Sequence, residues 1–296
     1  MMKLLITVLL FMCSTGVAFL TIEKENELAL KFSAESEEYC HPPACHTNVP
    51  LSDRLASVKL VNYYRQVGVH MDNIAKAVGV DPESLRLTEG HSMGAAFKVA
   101  TLSRLADDPR IKNICEIGVN AGHSSLNFLV SNPTATLLSF DIFWHKYTPD
   151  TVRSLKDLYP TRKIITVAGS SVESVPDTTT ILNDDFKCQL IFIDGGHTAP
   201  ILDADLTNMH ALADPAFHKV IIDDLQLKMM RDVYEEKWIK TNRMVELERH
   251  EKIKSNGFVT WSLSADETHF EFSGGSGSAA TMFPGEEEIA VAQFVF

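Results

Sequence analysis

The chain has 296 residues, of which 45% are apolar and 22% are charged, and this balance is ordinary for a protein that buries a sizeable core. The formal net charge is −12, and the sequence contains no Lys/Arg-rich run. Because binding a polyanion requires clustered positive charge, the composition argues against nucleic acid as a partner.

The first 18 residues have the pattern of a signal peptide. Lys3 precedes an apolar run at 4–13, and small residues follow at the spacing that signal peptidase prefers. An uncleaved anchor is the alternative, although 4–20 is at the short limit for spanning a bilayer and contains Ser, Thr and Gly. We therefore expect a secreted or endomembrane-lumenal protein with no stable membrane span after cleavage.

Residues 19–50 form an acidic lead that contains proline and holds Cys40 and Cys45. In a secreted chain, two cysteines around a Pro-Pro turn favour a local disulfide. A Cys/His metal clip is the rival interpretation, but it lacks a second cysteine pair. Cys115 and Cys188 lie in or beside apolar runs, which predicts buried, inert thiols.

Helical periodicity at 51–67 and 71–78 predicts a helical cap over 51–87, before a larger domain at 88–296. In that domain, helices are predicted at 101–107, 124–130, 149–158, 199–213 and 227–254. Strands are predicted at 112–117, 136–141, 163–168, 189–194, 219–223, 258–263 and 288–296. Seven strands with helical crossovers indicate an α/β fold with a doubly wound, mostly parallel sheet. A Ser/Gly-rich flexible loop is expected at 273–280.

A glycine turn follows the first predicted strand and contains Glu116, Gly118, Gly122 and Ser124. At such a turn, bare backbone and a helix N-terminus can approach a ligand closely. The spacing E-x-G-x-x-x-G departs from G-x-G-x-x-G and so disfavours an NAD site. Asp141 ends the second strand, where a carboxylate can accept both hydroxyls of a ribose. These residues predict a nucleoside-bearing cofactor, and the alternative is that both acids merely serve strand-end turns.

Two further strands end in acid: 191–193 leads into Asp194-Gly-Gly-His197, and 220–222 leads into Asp223 and Asp224. Both are β-branched, apolar runs typical of buried parallel strands, whose carboxyl ends are the ligand-binding edge of an α/β sheet. Three carboxylates there repel one another unless a cation lies between them, which predicts a site for Mg²⁺ or another hard divalent cation. The alternative is that Asp223 and Asp224 only cap the following helix.

From residue 88 to residue 296 the chain resembles class I S-adenosylmethionine-dependent methyltransferases. More narrowly, it is similar to the metal-dependent O-methyltransferases of the catechol and macrolide-sugar types. The resemblance implies that Asp194 serves both cofactor and metal and that His197 is the general base. It implies metal ligation by Asp194, Asp223 and Asp224. It assigns the rest of the cofactor site to Glu116, Gly118, Gly122, Ser124, Asp141, Gly169, Ser170 and Ser171.

The function that follows is divalent-metal-assisted methyl transfer from S-adenosylmethionine to one hydroxyl of a vicinal diol, in a sugar- or catechol-like small molecule or a glycan. Two alternatives remain open: a secreted, non-catalytic binding protein that keeps the fold, and a metal-independent methyltransferase. His197 has its own alternative, a solvated loop residue. Two aromatic or methionine groups either wall a substrate pocket or form plain core: Trp144 with Tyr147, and Met229, Met230, Tyr234 with Trp238.

Overall fold

The computed structural model describes residues 51–80, 96–183, 185–254, 258–263, 268–273 and 286–296. The predicted signal peptide, the acidic lead with Cys40 and Cys45, and the part of the predicted cap from 81 to 87 lie outside these ranges. In the described part of the chain, none of the helices is both long enough and apolar enough to cross a bilayer.

Nine strands are described, and seven of them form one sheet in the order β3-β2-β1-β4-β5-β9-β6. The first five in this order are parallel, whereas β9 runs antiparallel to both of its neighbours. The predicted doubly wound, mostly parallel sheet is therefore confirmed. The strands are β1 Asn113–Ile117, β2 Thr136–Asp141, β3 Ile164–Ala168, β4 Leu190–Ile193, β5 Lys219–Ile222, β6 Met244–Lys254, β7 Phe258–Leu263, β8 Thr268–Ser273 and β9 Glu286–Phe294.

Helices cover both faces of the sheet, because each parallel strand returns through a helical crossover. The two helical stretches predicted at 51–67 and 71–78 form one continuous helix, α1, which includes 68–70. The helices are α1 Leu51–Val78, α2 Ala96–Ala106, α3 His123–Ser131, α4 Thr148–Leu158, α5 Ser171–Ile181, α6 Ala199–Leu212 and α7 Lys228–Asp232, the last continuing as a π-helix over Val233–Ile239.

Successive side chains of a strand point to opposite faces of the sheet, and they pack into two separate cores. Ile114 and Phe192 pack with side chains of α1, α2 and α3 on one face. Ile117 and Ile193 pack with α6 and the π-helix on the other face. Glu116 follows the same alternation, so its carboxylate points to the face that α1 and α3 cover.

The sequence prediction is wrong over 227–254, where a single long helix was expected. The helical part ends at Ile239, and Met244–Lys254 forms β6 at the edge of the large sheet. The predicted strand Phe258–Leu263 exists, but it pairs with β8 in a separate two-stranded sheet. The first residue of the loop predicted at 273–280, Ser273, is the last residue of β8, and 274–280 lies outside the described residues.

Cys115 and Cys188 are buried as predicted, but they are not free thiols. The structure joins them in a disulfide with a Cα–Cα distance of 5.8 Å. Cys115 lies in β1, and Cys188 lies just before the neighbouring strand β4. The bond therefore links the two central strands of the sheet.

Candidate functional site

The carboxyl ends of the parallel strands are aligned by hydrogen bonds that continue past the strands themselves. The amide of Gly118 donates to a β2 carbonyl (2.8 Å), that of Asp194 to the last carbonyl of β1 (3.0 Å), and that of Asp223 to the last carbonyl of β4 (3.1 Å). The loops after β1, β4 and β5 therefore leave the sheet side by side. This alignment brings most of the predicted site residues to one edge.

Gly118 is required at its position for two physical reasons. Its φ is +94°, and a Cβ there would lie 1.8 Å from the carbonyl oxygen of Asp194. Any side chain would therefore push the cofactor loop and the loop after β4 apart. Gly122, with φ +78°, is less closely surrounded, since its Cβ would lie 2.8 Å from Cγ2 of Thr151 in α4 and 2.9 Å from Nε2 of His70 in α1.

Glu116 is fully buried and accepts hydrogen bonds from three serine hydroxyls. Ser124 and Ser125 donate from α3, and Ser139 donates from β2 at 2.9 Å. Burial raises the pKa of Glu116 to about 7, although the three hydroxyls act in the opposite direction. The side chain thus ties β1 to its neighbours, and its predicted contact with the cofactor stays a prediction.

Asp141 organises the glycine turn through its carboxylate. Oδ2 accepts the amide protons of Val119 and Asn120, both at 2.8 Å, and Oδ1 accepts that of Phe143 at 2.6 Å. A carboxylate offers about four acceptor positions. Oδ1 therefore retains about one position for a ribose hydroxyl, whereas the sequence suggested that Asp141 accepts both hydroxyls.

The turn after β3 also lies at this edge. Gly169 has φ +138°, and its amide donates to the carbonyl of Asp141 at 2.9 Å. Ser170 is the N-cap residue of α5, and Ser171 is its first residue. The three residues therefore follow the strand next to β2, close to Asp141, and their predicted part in the cofactor site stays a prediction.

The acidic cluster differs in composition from the predicted set of three aspartates. Asp194, His197 and Asp224 each offer one ligand atom, and these atoms all lie within 4.8 Å of one another. Asp223 instead forms an ion pair with Lys98 of α2. The two carboxylates are ligands that a hard divalent cation prefers, whereas the imidazole is more typical of transition-metal sites. The role of Asp223 as a ligand stays a prediction.

The pKa values of the three aspartates are pulled in different directions. Burial, followed by the charge of Asp223, raises the pKa of Asp194 well above its usual range. Burial also raises the pKa of Asp223, against the charge of Lys98. Burial is the largest single effect on Asp224 and acts upward, but His197, Lys98 and Gln226 together outweigh it and lower the pKa of Asp224.

His197 is 46% exposed, and its Nε2 lies 2.9 Å from Oδ2 of Asp224. This hydrogen bond is the largest cause that raises the pKa of His197 to about 9. Paired in this way, the imidazole is protonated at neutral pH. It can accept a proton there only when Asp224 turns to another partner.

The proposed pocket-wall residues separate into two groups. Tyr234 and Trp238 are fully buried and Met230 nearly so, and all three belong to the core. The plain-core alternative is therefore correct for them. By contrast, Trp144 is 82% exposed, and Tyr147 contacts the glycine turn, where its hydroxyl donates to Oδ1 of Asn120 at 2.5 Å.

Sequence reasoning missed two residues at this edge, Lys98 and His70. His70 is fully buried in α1, and its ring nitrogens lie 2.9 Å from Ser154 Oγ and 2.9 Å from the carbonyl of Ala121 in the glycine turn. Burial lowers the pKa of His70 to about 4, so the ring is neutral and donates one hydrogen bond. Neither residue lies within a recognisable motif, because each reaches the site from a helix earlier in the chain.

Comparison with solved structures gives matches among methyltransferases. The chain is similar to an O-methyltransferase from Bacillus cereus in complex with SAH (11% identity, 90% of this chain and 99% of that chain, TM-score 0.52). It is also similar to cofactor-bound Rv0187 from MTB (14% identity, 83% and 97%, TM-score 0.52). A third match is the O-methyltransferase TomG from Streptomyces achromogenes in complex with SAM (12% identity, 93% and 98%, TM-score 0.50). Neither a protein-family model nor a curated protein matches the chain. At these identities the likeness establishes the fold.

Proposed function

We propose that this chain, which has the fold of class I methyltransferases, is an S-adenosylmethionine-dependent O-methyltransferase. One observation carries the proposal: the glycine turn, Asp141 and the cluster of Asp194, His197 and Asp224 lie at adjacent strand ends of one sheet edge. The printed names of the three similar structures support the same activity, since two are O-methyltransferases and all three were solved with a bound cofactor.

The chain's own residues prepare the cofactor site. S-adenosylmethionine, when bound, supplies a methyl group that is already activated as a sulfonium. The protein must therefore mainly position an oxygen nucleophile in line and remove its proton. Gly118 and Gly122 leave the backbone of the turn bare, and Asp141 fixes the turn through the amides of Val119 and Asn120.

The acidic cluster is the acceptor side of the proposed site. A divalent cation held by Asp194 and Asp224 would lower the pKa of a chelated hydroxyl, which favours vicinal diols as acceptors. His197 would move the acceptor's proton, and its partial exposure leaves room for an acceptor beside it. We place this reaction in the secretory lumen or outside the cell, with a small-molecule or glycan hydroxyl as acceptor.

A metal-independent methyltransferase is the second candidate function. The ion pair between Lys98 and Asp223 favours it, because a positive charge already lies within the acidic cluster. Such an enzyme would rely on His197 and Asp224 alone to handle the acceptor's proton.

Calorimetric titration with S-adenosylmethionine, with and without Mg²⁺, tests both candidates. Binding that is lost in Asp141→Ala supports the methyltransferase, and Asp72→Ala in the exposed part of α1 is the matched control. Methyl transfer to a diol acceptor that stops in chelator supports metal assistance, whereas unchanged transfer favours the metal-independent enzyme. A folded protein that gives no heat with S-adenosylmethionine contradicts both.

A further inference from the structure

Lys98 lies in the first turn of α2, and its side chain is only 11% exposed. Its ammonium group forms an ion pair with Oδ2 of Asp223 and lies 4.0 Å from Oδ2 of Asp194. A buried lysine is costly unless it is paired. The burial of Lys98 is therefore explained by its contacts with Asp194 and Asp223, which follow it in the chain by about a hundred residues or more.

We propose that Lys98 acts as a built-in cation. By pairing with Asp223, the third carboxylate beside Asp194 and Asp224, it weakens the binding of a free divalent cation at this site. The inference rests on the proposed function, because it concerns the same acidic cluster. It makes Lys98 a residue that determines how far this site depends on metal. Lys98 acts here through Asp223 and is a positioning residue in that sense.

The charge balance of the cluster supports this role. Asp194, Asp223 and Asp224 together carry three negative charges when ionised, and the pairing of Lys98 with Asp223 offsets one of them. A divalent cation then meets two carboxylates and an imidazole, because Asp223 is turned towards α2. Without Lys98, the same cation would meet one more negative charge and one more oxygen ligand, both of which increase affinity for hard cations.

The geometry also explains why the pair is specific. The Asp223 side chain is 2% exposed, so solvent does not screen its interaction with Lys98. Asp224 has two partners of its own, His197 at 2.9 Å and the side-chain amide of Gln226 at 2.8 Å. The two neighbouring aspartates are therefore assigned to different positive partners.

Calorimetric titration with Mn²⁺ at pH 8 tests the proposal on the full-length protein and three variants. Lys98→Met is expected to bind Mn²⁺ at least about tenfold more tightly than the wild type, because it frees Asp223 as a ligand. The double variant Lys98→Met/Asp223→Asn is expected to lose that gain. Lys228→Met removes an exposed lysine from α7 and is expected to leave the affinity unchanged.

The thermal midpoint of each variant provides a second readout that also reports folding. Mn²⁺ should raise the midpoint of Lys98→Met more than that of the wild type. If Lys98→Met does not fold, Lys98→Gln carries the same comparison with a polar side chain of similar length. Equal Mn²⁺ affinity in the wild type and the folded Lys98 variant, or a gain that persists in the double variant, overturns the proposal.

The proposed function fails in a different way. If the wild type binds no Mn²⁺ but Lys98→Met does, the inference holds and metal assistance in the natural protein is excluded. If S-adenosylmethionine binds and Mn²⁺ affects none of the variants, the inference fails while the methyltransferase proposal stands.

Discussion

Replacing Cys115 and Cys188 by alanine, singly and together, tests the disulfide that links β1 to β4. The two cysteines are 73 residues apart in the chain, and both are fully buried. The crosslink restricts the unfolded chain, and the chain-entropy relation for a loop of this length gives about 4.4 kcal/mol at 25 °C. We expect each single variant to lose most of this free energy of unfolding.

The double variant distinguishes a disulfide from two free thiols. A bond is lost once, so Cys115→Ala/Cys188→Ala should be destabilised by about as much as either single variant, roughly 4 kcal/mol. Independent buried thiols would instead cost about 1 kcal/mol each for lost packing, and these costs would add.

Urea unfolding of the four proteins without reductant measures these differences. Peptide mapping of the unreduced wild type should also give one crosslinked pair of peptides that contains Cys115 and Cys188. Additive effects in the unfolding series, together with free thiols at both positions in the map, would refute the reasoning.

Three further predictions concern the glycine turn and its surroundings. Gly118→Ala should lower the free energy of unfolding by at least about 3 kcal/mol and abolish cofactor binding, because its Cβ would lie 1.8 Å from the Asp194 carbonyl oxygen. Gly68→Ala is the control, since a Cβ at Gly68 would meet no atom within 4 Å, and equal urea midpoints for the two variants would contradict the argument. The pKa of buried His70 is about 4 against 6.5 for a free histidine, so the unfolded chain binds the extra proton between these pH values and stability falls as the pH is lowered through them. Between pH 7 and pH 4, the wild type should therefore lose about 3 kcal/mol more than His70→Gln in urea unfolding, and parallel pH profiles would show that the ring is not buried as a neutral group. His197→Gln should lower turnover about 10²- to 10⁴-fold and leave calorimetric affinity for S-adenosylmethionine unchanged; wild-type turnover would remove His197 from the mechanism.

The parallel part of the sheet was predictable because its strands have strong local patterns. The run Thr136–Asp141 is a strand with the predicted bounds, and β1, β3, β4 and β5 differ from their predictions by one residue at an end or both. Buried parallel strands are apolar on both faces, so they stand out against the amphipathic helices around them. The acids at their ends were predictable for the same reason, since Asp194 and Asp223 directly follow apolar runs.

β6 could not be predicted because tertiary contacts determine its structure. Its exposed residues include Val245 and Leu247, whereas Arg249 turns inward to Glu235 and Glu288. The usual inside-apolar alternation is thus missing, and register shifts interrupt the pairing with β9. Charged residues favour a helix by propensity, but the open edge of β9 supplies hydrogen bonds that outweigh this preference.

The composition of the acidic cluster lay beyond sequence analysis for a different reason. The pairing of Lys98 with Asp223 joins α2 to the end of β5, and no local pattern announces it. Likewise, the distance between Cys115 and Cys188 becomes small only when β1 and β4 pair. Both contacts depend on the order of the strands in the finished sheet.

The position of β9 between β5 and β6 has a consequence for synthesis of the protein. Ile221 of β5 pairs with Val291 of β9, so β5 lacks its partner on that side until residues 286–294 have been translated. A nascent chain that has emerged only as far as β8 exposes the apolar edge of β5 and leaves β6 without its neighbour. Such unpaired edges promote aggregation. Folding of the large sheet is therefore completed only after β9 has left the ribosome.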